Sequence, residues 1–197
     1  MATQGERRAR TRQALLDAAA VLFAERGVEG ASVDAIAERA DRTSGALYDH
    51  FGSKDGLLYA LLEGWVDDIA AVTGAELSTA TTLDERMAIL WRNVVDPVAG
   101  DGRWIALEHE LWSYAARDDE ARRYLARRYG AIWDAVGEGV AEWVDDAEHV
   151  GPALIGTLLG LEMMRRVDPD AVPDDLAVAA LTAVVTGTRT PRGAPTR

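Results

Sequence analysis

Apolar residues recur at helical spacing along nearly the whole chain, and no stretch of useful length alternates apolar with polar as a half-buried strand does. Leu15, Ala18, Ala19, Leu22 and Phe23 form one stripe at i, i+3, i+4, i+7 and i+8, and Gly27 follows where a helix can end in the left-handed conformation. Ser32 is an N-cap for Val33, Ile36, Ala37 and Ala40, with Asp34 in the first turn where the dipole favours an acid. Past Asp41-Arg42, Thr43 can cap a second short helix carrying Ala46, Leu47 and Phe51. Gly52 ends that one, and Ser53 caps a long helix with Leu57, Leu58, Leu61, Leu62, Trp65 and Ile69. Further helices are predicted over 83–98, 104–117, 119–146, 151–167 and 174–187. Arg165 and Arg166 close the fourth of these before Asp168-Pro169, and Pro173 opens the fifth. The expectation is an all-α chain of about nine helices with no internal repeat.

Composition narrows the function classes. The chain has no cysteine, which rules out disulfides and thiolate metal sites. No apolar run approaches the roughly 20 residues of a membrane span. The start, MATQGERRAR, has no apolar segment of the secretory kind, so the expected location is the cytoplasm. The net charge of −12 is unevenly spread. Residues 1–60 hold eight basic and nine acidic side chains, and the remainder thirteen basic and twenty-four acidic. Arg7, Arg8, Arg10 and Arg12 stand against Glu6 alone, a basic arm (1–12) on an acidic body, which is compatible with nucleic-acid contact.

Two helices of about seven residues joined by a three- or four-residue turn match helix-turn-helix geometry, in which the second helix enters the major groove with its N-terminal end toward the bases. Leu47 and Phe51, one turn apart, would anchor that helix inward, leaving Ser44, Tyr48 and Asp49 outward and Gly45 open to close approach. Lys54, the only lysine, falls in the first turn of the next helix, where a cation opposes the dipole. A DNA phosphate is expected to be its partner.

Residues 11–62, in the stretch ALLDAAAVLFAERGVEGASVDAIAERADRTSGALYDHFGSKDGLLYALLE that ends at Glu63, resemble the DNA-binding domain of the TetR (tetracycline repressor) family of transcription regulators. The likeness rests on F-x-x-x-G, S-V-x-x-I-A and G-A-L-Y-x-H-F-x-S-K-x-x-L, and LLGLEMMRRVDPDAVPDDLAVAALTAV resembles the family's last two helices. The resemblance implies an N-terminal three-helix DNA-binding domain over 1–52 and a C-terminal ligand-binding and dimerisation domain over 53–189; the terminal TPRGAPTR, 190–197, is expected to be disordered from its composition. The resemblance also implies a homodimer on a double-stranded operator, usually released by a small-molecule effector. Ser32, Thr43, Tyr48, His50 and Lys54 match phosphate-contacting positions, and Arg42, Ser44 and Gly45 match positions at or near base edges. The chain departs from many relatives at Asp41 (commonly Gly), Arg42 (Val), Ser44 (Lys) and Asp49 (His). Asp41 tolerates the left-handed turn. Arg42 can replace the cation missing at 44.

All six tryptophans lie beyond residue 60. Most of the expectation for them is core filling. The sharper reading makes Trp65, Trp91, Trp104, Trp112 and Trp133, with the acids Glu108 and Glu162, the lining of an apolar effector site, where an acid among aromatics suits a lipophilic cation. Leu154, Leu158, Leu161, Arg165, Leu176, Ala180, Leu181 and Val184 are the expected dimer seam on the last two helices. Asp145 and His149 offer two metal ligands and no third, so neither metal nor cofactor is expected. The chain holds no phosphate-binding loop, H-E-x-x-H or nucleophile elbow, and an enzyme is not expected. The alternative is a DNA-binding dimer whose C-terminal domain only dimerises or docks a protein.

Overall fold

The computed structural model describes residues 3–95, 103–144 and 147–187, with the side chains of 103, 104, 147 and 148 left out. The fold of these residues is all-α: α1 (Gln4–Gly30), α2 (Val33–Arg39), α3 (Ser44–Phe51), α4 (Lys54–Leu77), α5 (Leu83–Val95), α6 (Arg103–Ala115), α7 (Asp119–Gly139), α8 (Ala147–Val167) and α9 (Asp174–Gly187). The tail 190–197 lies outside the described residues.

The chain forms two compact units, Met1–Ala70 with Ala99–Arg122, and Ala71–Val98 with Arg123–Arg197. This partition differs from a break at 52/53. α4 runs unbroken through 24 residues past Ser53, and α6 belongs with the N-terminal helices.

In the first unit Leu15, Phe23, Ile36, Leu47, Leu57 and Leu58 have no measurable exposure, so the inward stripes of α1 to α4 are those the periodicity marks. Gly27 interrupts α1 at φ 70°. Its missing side chain matters there: a Cβ would lie 3.1 Å from Oε2 of Glu110 on α6. Arg117 pairs with Glu29 at 3.3 Å and the Tyr114 hydroxyl reaches Asp55 at 3.4 Å, so α6 is tied to both α1 and α4. The basic arm is helical from Gln4 onward. Thr3 and Glu6 cap it reciprocally, Thr3 Oγ1 accepting from the Glu6 amide and Glu6 Oε2 from the Thr3 amide.

In the second unit α5, α8 and α9 pack together. The helix predicted over 119–146 is two elements. α7 stops at Gly139 and a 3-10 turn follows at Ala141–Trp143. α8 begins at Ala147, earlier than expected, and carries Pro152 inside. Gly151 lets α8 lie on α7: a Cβ there would stand 2.2 Å from the Trp133 carbonyl oxygen.

Several expected seam residues are internal to this unit. Leu154 and Leu181 are fully buried and Leu158 is 3% exposed within the single chain, so they belong to its own core. Arg165 is engaged at the α8–α9 corner, donating to the Val172 carbonyl at 2.9 Å and Asp174 Oδ1 at 2.7 Å, with its guanidinium 5.6 Å from the Trp91 ring. Leu161, Ala180 and Val184 are half-buried, and Leu176 is exposed.

Candidate nucleic-acid interface

The two short helices of the motif are built by caps that are local in sequence. Ser32 Oγ accepts from the Ala35 amide at 3.1 Å and Thr43 Oγ1 from the Ala46 amide at 3.2 Å, opening α2 and α3. Between them the chain turns at Asp41, φ 53°, the one non-glycine residue with positive φ among those described. The Arg42 amide returns to the Ala37 carbonyl at 2.9 Å and closes the turn. Gly52, φ 75°, ends α3. Gly56 then packs so closely under α3 that a Cβ would lie 2.1 Å from the Phe51 carbonyl oxygen.

This frame buries Leu47 and leaves Phe51 half-buried. Arg12 lies over the Phe51 ring at 5.3 Å, and an Arg8 guanidinium nitrogen is 3.5 Å from the Asp49 carbonyl oxygen. Two arginines of α1 therefore stand at the C-terminal end of α3, where the helix dipole favours cations. Neither position carries a sequence signal for that contact beyond its charge.

The outward edge of α3 holds most of the residues expected to meet DNA. Tyr48 is 54% exposed. A Cβ on Gly45 would have only Thr43 Oγ1 near it, at 3.7 Å, so the backbone is open on that side. Ser32 and Thr43 use lone pairs as caps and keep their hydroxyl protons for another acceptor. His50 is half-buried, and its pKa lies below the ordinary 6.5, chiefly through burial and then through the Arg8 charge, with Asp49 acting the other way.

Three side chains are already engaged within the chain. Arg42 folds back on Asp41, donating to its carbonyl at 2.5 Å. The Ser44 hydroxyl donates to Asp34 Oδ1 at 2.6 Å. Lys54 Nζ donates to the Val28 carbonyl at 2.8 Å. The lysine thus has a partner inside the protein, on α1. An ammonium has three donors, so two remain. Asp34, read from sequence only as a first-turn acid, is the contact that sequence reasoning missed.

The residues expected around an effector divide between the units. In the first, Glu108 is 1% exposed, and Trp65 and Trp112 are half-buried. The Trp112 ring lies 5.6 Å from His109. The side chain of Trp104 lies outside the described residues. In the second, Glu162 is 3% exposed and pairs with Arg166, and Trp133 stacks obliquely on Tyr129 at 5.9 Å. Trp91 is core, 2% exposed, its indole N–H donating to Asp174 Oδ1 at 2.9 Å. A surface groove of about 640 Å³ along α5 and α9 is lined by Asp84, Asp174, Asp175, Val178, Thr182 and neighbours, and includes none of the tryptophans. His149 is exposed, and Asp145 lies outside the described residues. No described helix is long and apolar enough to cross a membrane.

Residues 15–61, from α1 into α4, match the family model for bacterial regulatory proteins of the tetR family. The transcriptional repressor KstR2 of Mycobacterium tuberculosis is 32% identical over 133 residues, 66% of this chain and 62% of its own length, so the match stops short of two thirds of that relative. The repressor AcnR of Corynebacterium glutamicum is 40% identical over 144 residues, 73% of this chain and 71% of that protein. A protein described as a transcriptional regulator from Saccharomonospora viridis, solved in complex with choline, shares the fold, with a TM-score of 0.69 at 20% identity over 88% of this chain and 94% of that one. With the capped helix pair in place and its likeness to AcnR running through most of both chains, the chain belongs to the tetR family of bacterial regulatory proteins.

Proposed function

We propose that the protein is a homodimeric, effector-controlled transcriptional repressor that sets α3 of each subunit in the major groove of an operator. The observation that carries this reading is the open outer edge of α3, capped by Thr43, uncluttered at Gly45 and presenting an exposed Tyr48. Ser32, Thr43, Tyr48, His50 and the two remaining donors of Lys54 are the phosphate-side groups; Arg42, Ser44 and Gly45 lie on the base side. The family membership supports the same assignment, as do the names of KstR2 and AcnR. Such a protein acts in the cytoplasm and catalyses no reaction.

The dimer seam is the outer face of α8 and α9. Ala153, Gly156, Gly160, Met163 and Val167 follow one another at three- and four-residue steps along α8, without a charge, and Ala179 and Ala183 continue the same character on α9. Met164 is 52%, Val167 80% and Leu176 48% exposed in the single chain, a degree of apolar exposure that a second copy would relieve.

For the effector, Glu162 is the buried carboxylate that a small-molecule site within the second unit would use. Glu162 Oε2 has no hydrogen-bond partner, and a bound donor would supply one. The choline bound by the Saccharomonospora viridis neighbour makes quaternary ammonium compounds the first to try.

Duplex binding followed by fluorescence anisotropy across a salt series tests the central claim. Fragments flanking the protein's own gene should bind, with affinity falling steeply and log-linearly with salt as phosphate counterions are released. A monomer that ignores every such fragment at low salt would end the proposal.

A further inference from the structure

A serine on the base-facing end of a reading helix can usually donate or accept, which makes it a poor discriminator. Ser44 lacks that freedom. It is the first residue of α3, and its hydroxyl donates to Asp34 Oδ1 at 2.6 Å, the length of a charge-assisted O–H···O⁻ bond. Such a bond is about twice as strong as one to a neutral acceptor, so a guanine O6 or thymine O4 does not draw the proton away. What Ser44 Oγ offers outward is lone pairs only. Asp34, exposed on the first turn of α2, is an acceptor as well.

We infer that Ser44, held by Asp34, reads an exocyclic amino group: it takes adenine N6–H or cytosine N4–H on one strand and rejects the keto bases guanine and thymine at that base pair. The inference rests on the DNA-binding reading above. Every base pair carries one amino and one keto group in the major groove, so an acceptor-only side chain distinguishes which strand carries the amino base rather than A·T from G·C. Arg42, two residues earlier, has donors only and has the opposite preference for guanine O6 and N7. Positions 42 and 44 therefore divide the donor and acceptor patterns of neighbouring base pairs. Asp34 acts through Ser44 as a positioning residue, fixing where its one proton points.

The test begins with selection of the preferred operator from a randomised duplex library. Each half-site pair is then exchanged in turn, and wild type, Ser44→Ala, Asp34→Ala and Asp34→Asn are compared by anisotropy, with circular dichroism to confirm folding. At the one pair whose preference Ser44→Ala flattens, wild type should accept adenine and cytosine alike and discriminate against guanine and thymine by about tenfold. Replacing adenine there by purine, or cytosine by 2-pyrimidinone, deletes only the amino group. It should weaken wild type by a similar factor and leave Ser44→Ala unchanged. Asp34→Ala frees the hydroxyl to donate, so guanine and thymine become acceptable; Asp34→Asn, a weaker neutral acceptor, falls between. A wild-type preference for guanine or thymine at that pair overturns the inference. So does an Asp34→Ala variant that weakens all duplexes equally with discrimination intact, or a Ser44→Ala variant with unchanged preference at every pair. Failure of the wild type to bind any duplex is a different outcome, and it removes the DNA-binding reading itself.

Discussion

Gly45 separates what the fold requires from what the operator requires. Its φ is not positive, and a methyl group there would touch only the Thr43 hydroxyl, 3.7 Å away. Gly45→Ala should therefore leave the thermal midpoint unchanged or raised, since alanine favours a helix by up to about 1 kcal/mol over glycine. The same methyl would project from the edge proposed to meet the groove, so duplex affinity should fall; melting and anisotropy on one preparation check both halves. His50 gives a second residue-level expectation. Burial, Arg8 and Arg12 hold its pKa below 6.5 in the unbound chain, against the pull of Asp49. A phosphate beside the ring would favour the imidazolium, so binding takes up a proton and affinity should rise as the pH falls through the bound-state pKa toward the lower one of the unbound chain, by at most about tenfold per unit for each histidine. His50→Gln should flatten that slope. Whether a residue's role was legible in the sequence depended on how far away its partner lies. Ser32 and Thr43 cap amides three residues on, and pattern alone places them. Ser44 meets an acid ten residues back, and Lys54 a carbonyl twenty-six residues back; both contacts depend on how helices cross, which no local pattern encodes.

Helix ends were readable where a single strong residue sets them and blurred where several weak ones compete. Gly52 and the Asp168-Pro169 step stopped α3 and α8 as expected, whereas α7 ends at Gly139, short of the 146 to which hydrophobic spacing carries on. Close crossings left no trace in that spacing. Gly151 is one: Gly151→Ala would drive a methyl group into the α7 backbone at Trp133, and we expect a loss of about 3 kcal/mol or more in a denaturant titration, with α8 displaced. The α8–α9 corner makes a pH-dependent contribution. Trp91 and, next, Arg165 hold the Asp174 carboxyl below its ordinary value of 3.8. The stability these bonds provide is complete above that value and is lost as the pH falls through the depressed folded-state pKa. Asp174→Asn should be less stable than wild type at neutral pH and show a shallower decline on acidification; melting curves from pH 6 to 2.5 would report it.

At the scale of the whole chain, the acidic surplus is the feature most easily misread. A net charge of −12 argues against a nucleic-acid partner until its distribution is considered, because the first 60 residues are nearly neutral and the reading helix lies among them. Class and family were legible throughout: helical period is redundant along the chain, and the motif residues are dense between 15 and 61. The face proposed for dimerisation was not, since the same leucines suit a core or a seam, and burial assigns only the core ones. Met164, exposed and apolar, is the residue to test: Met164→Glu should turn a dimer into a monomer by analytical ultracentrifugation while leaving the helical signal intact. It should also weaken operator binding, because two linked half-site contacts become one. A lone lysine has one more consequence. Since Lys54 Nζ is engaged with the Val28 carbonyl, an amine-directed acylating reagent finds a single side-chain target in this protein, at the joint between the first and fourth helices. Acylation there, located by peptide mass, would cost the chain its one side-chain ammonium and leave a neutral amide in its place, without any introduced label.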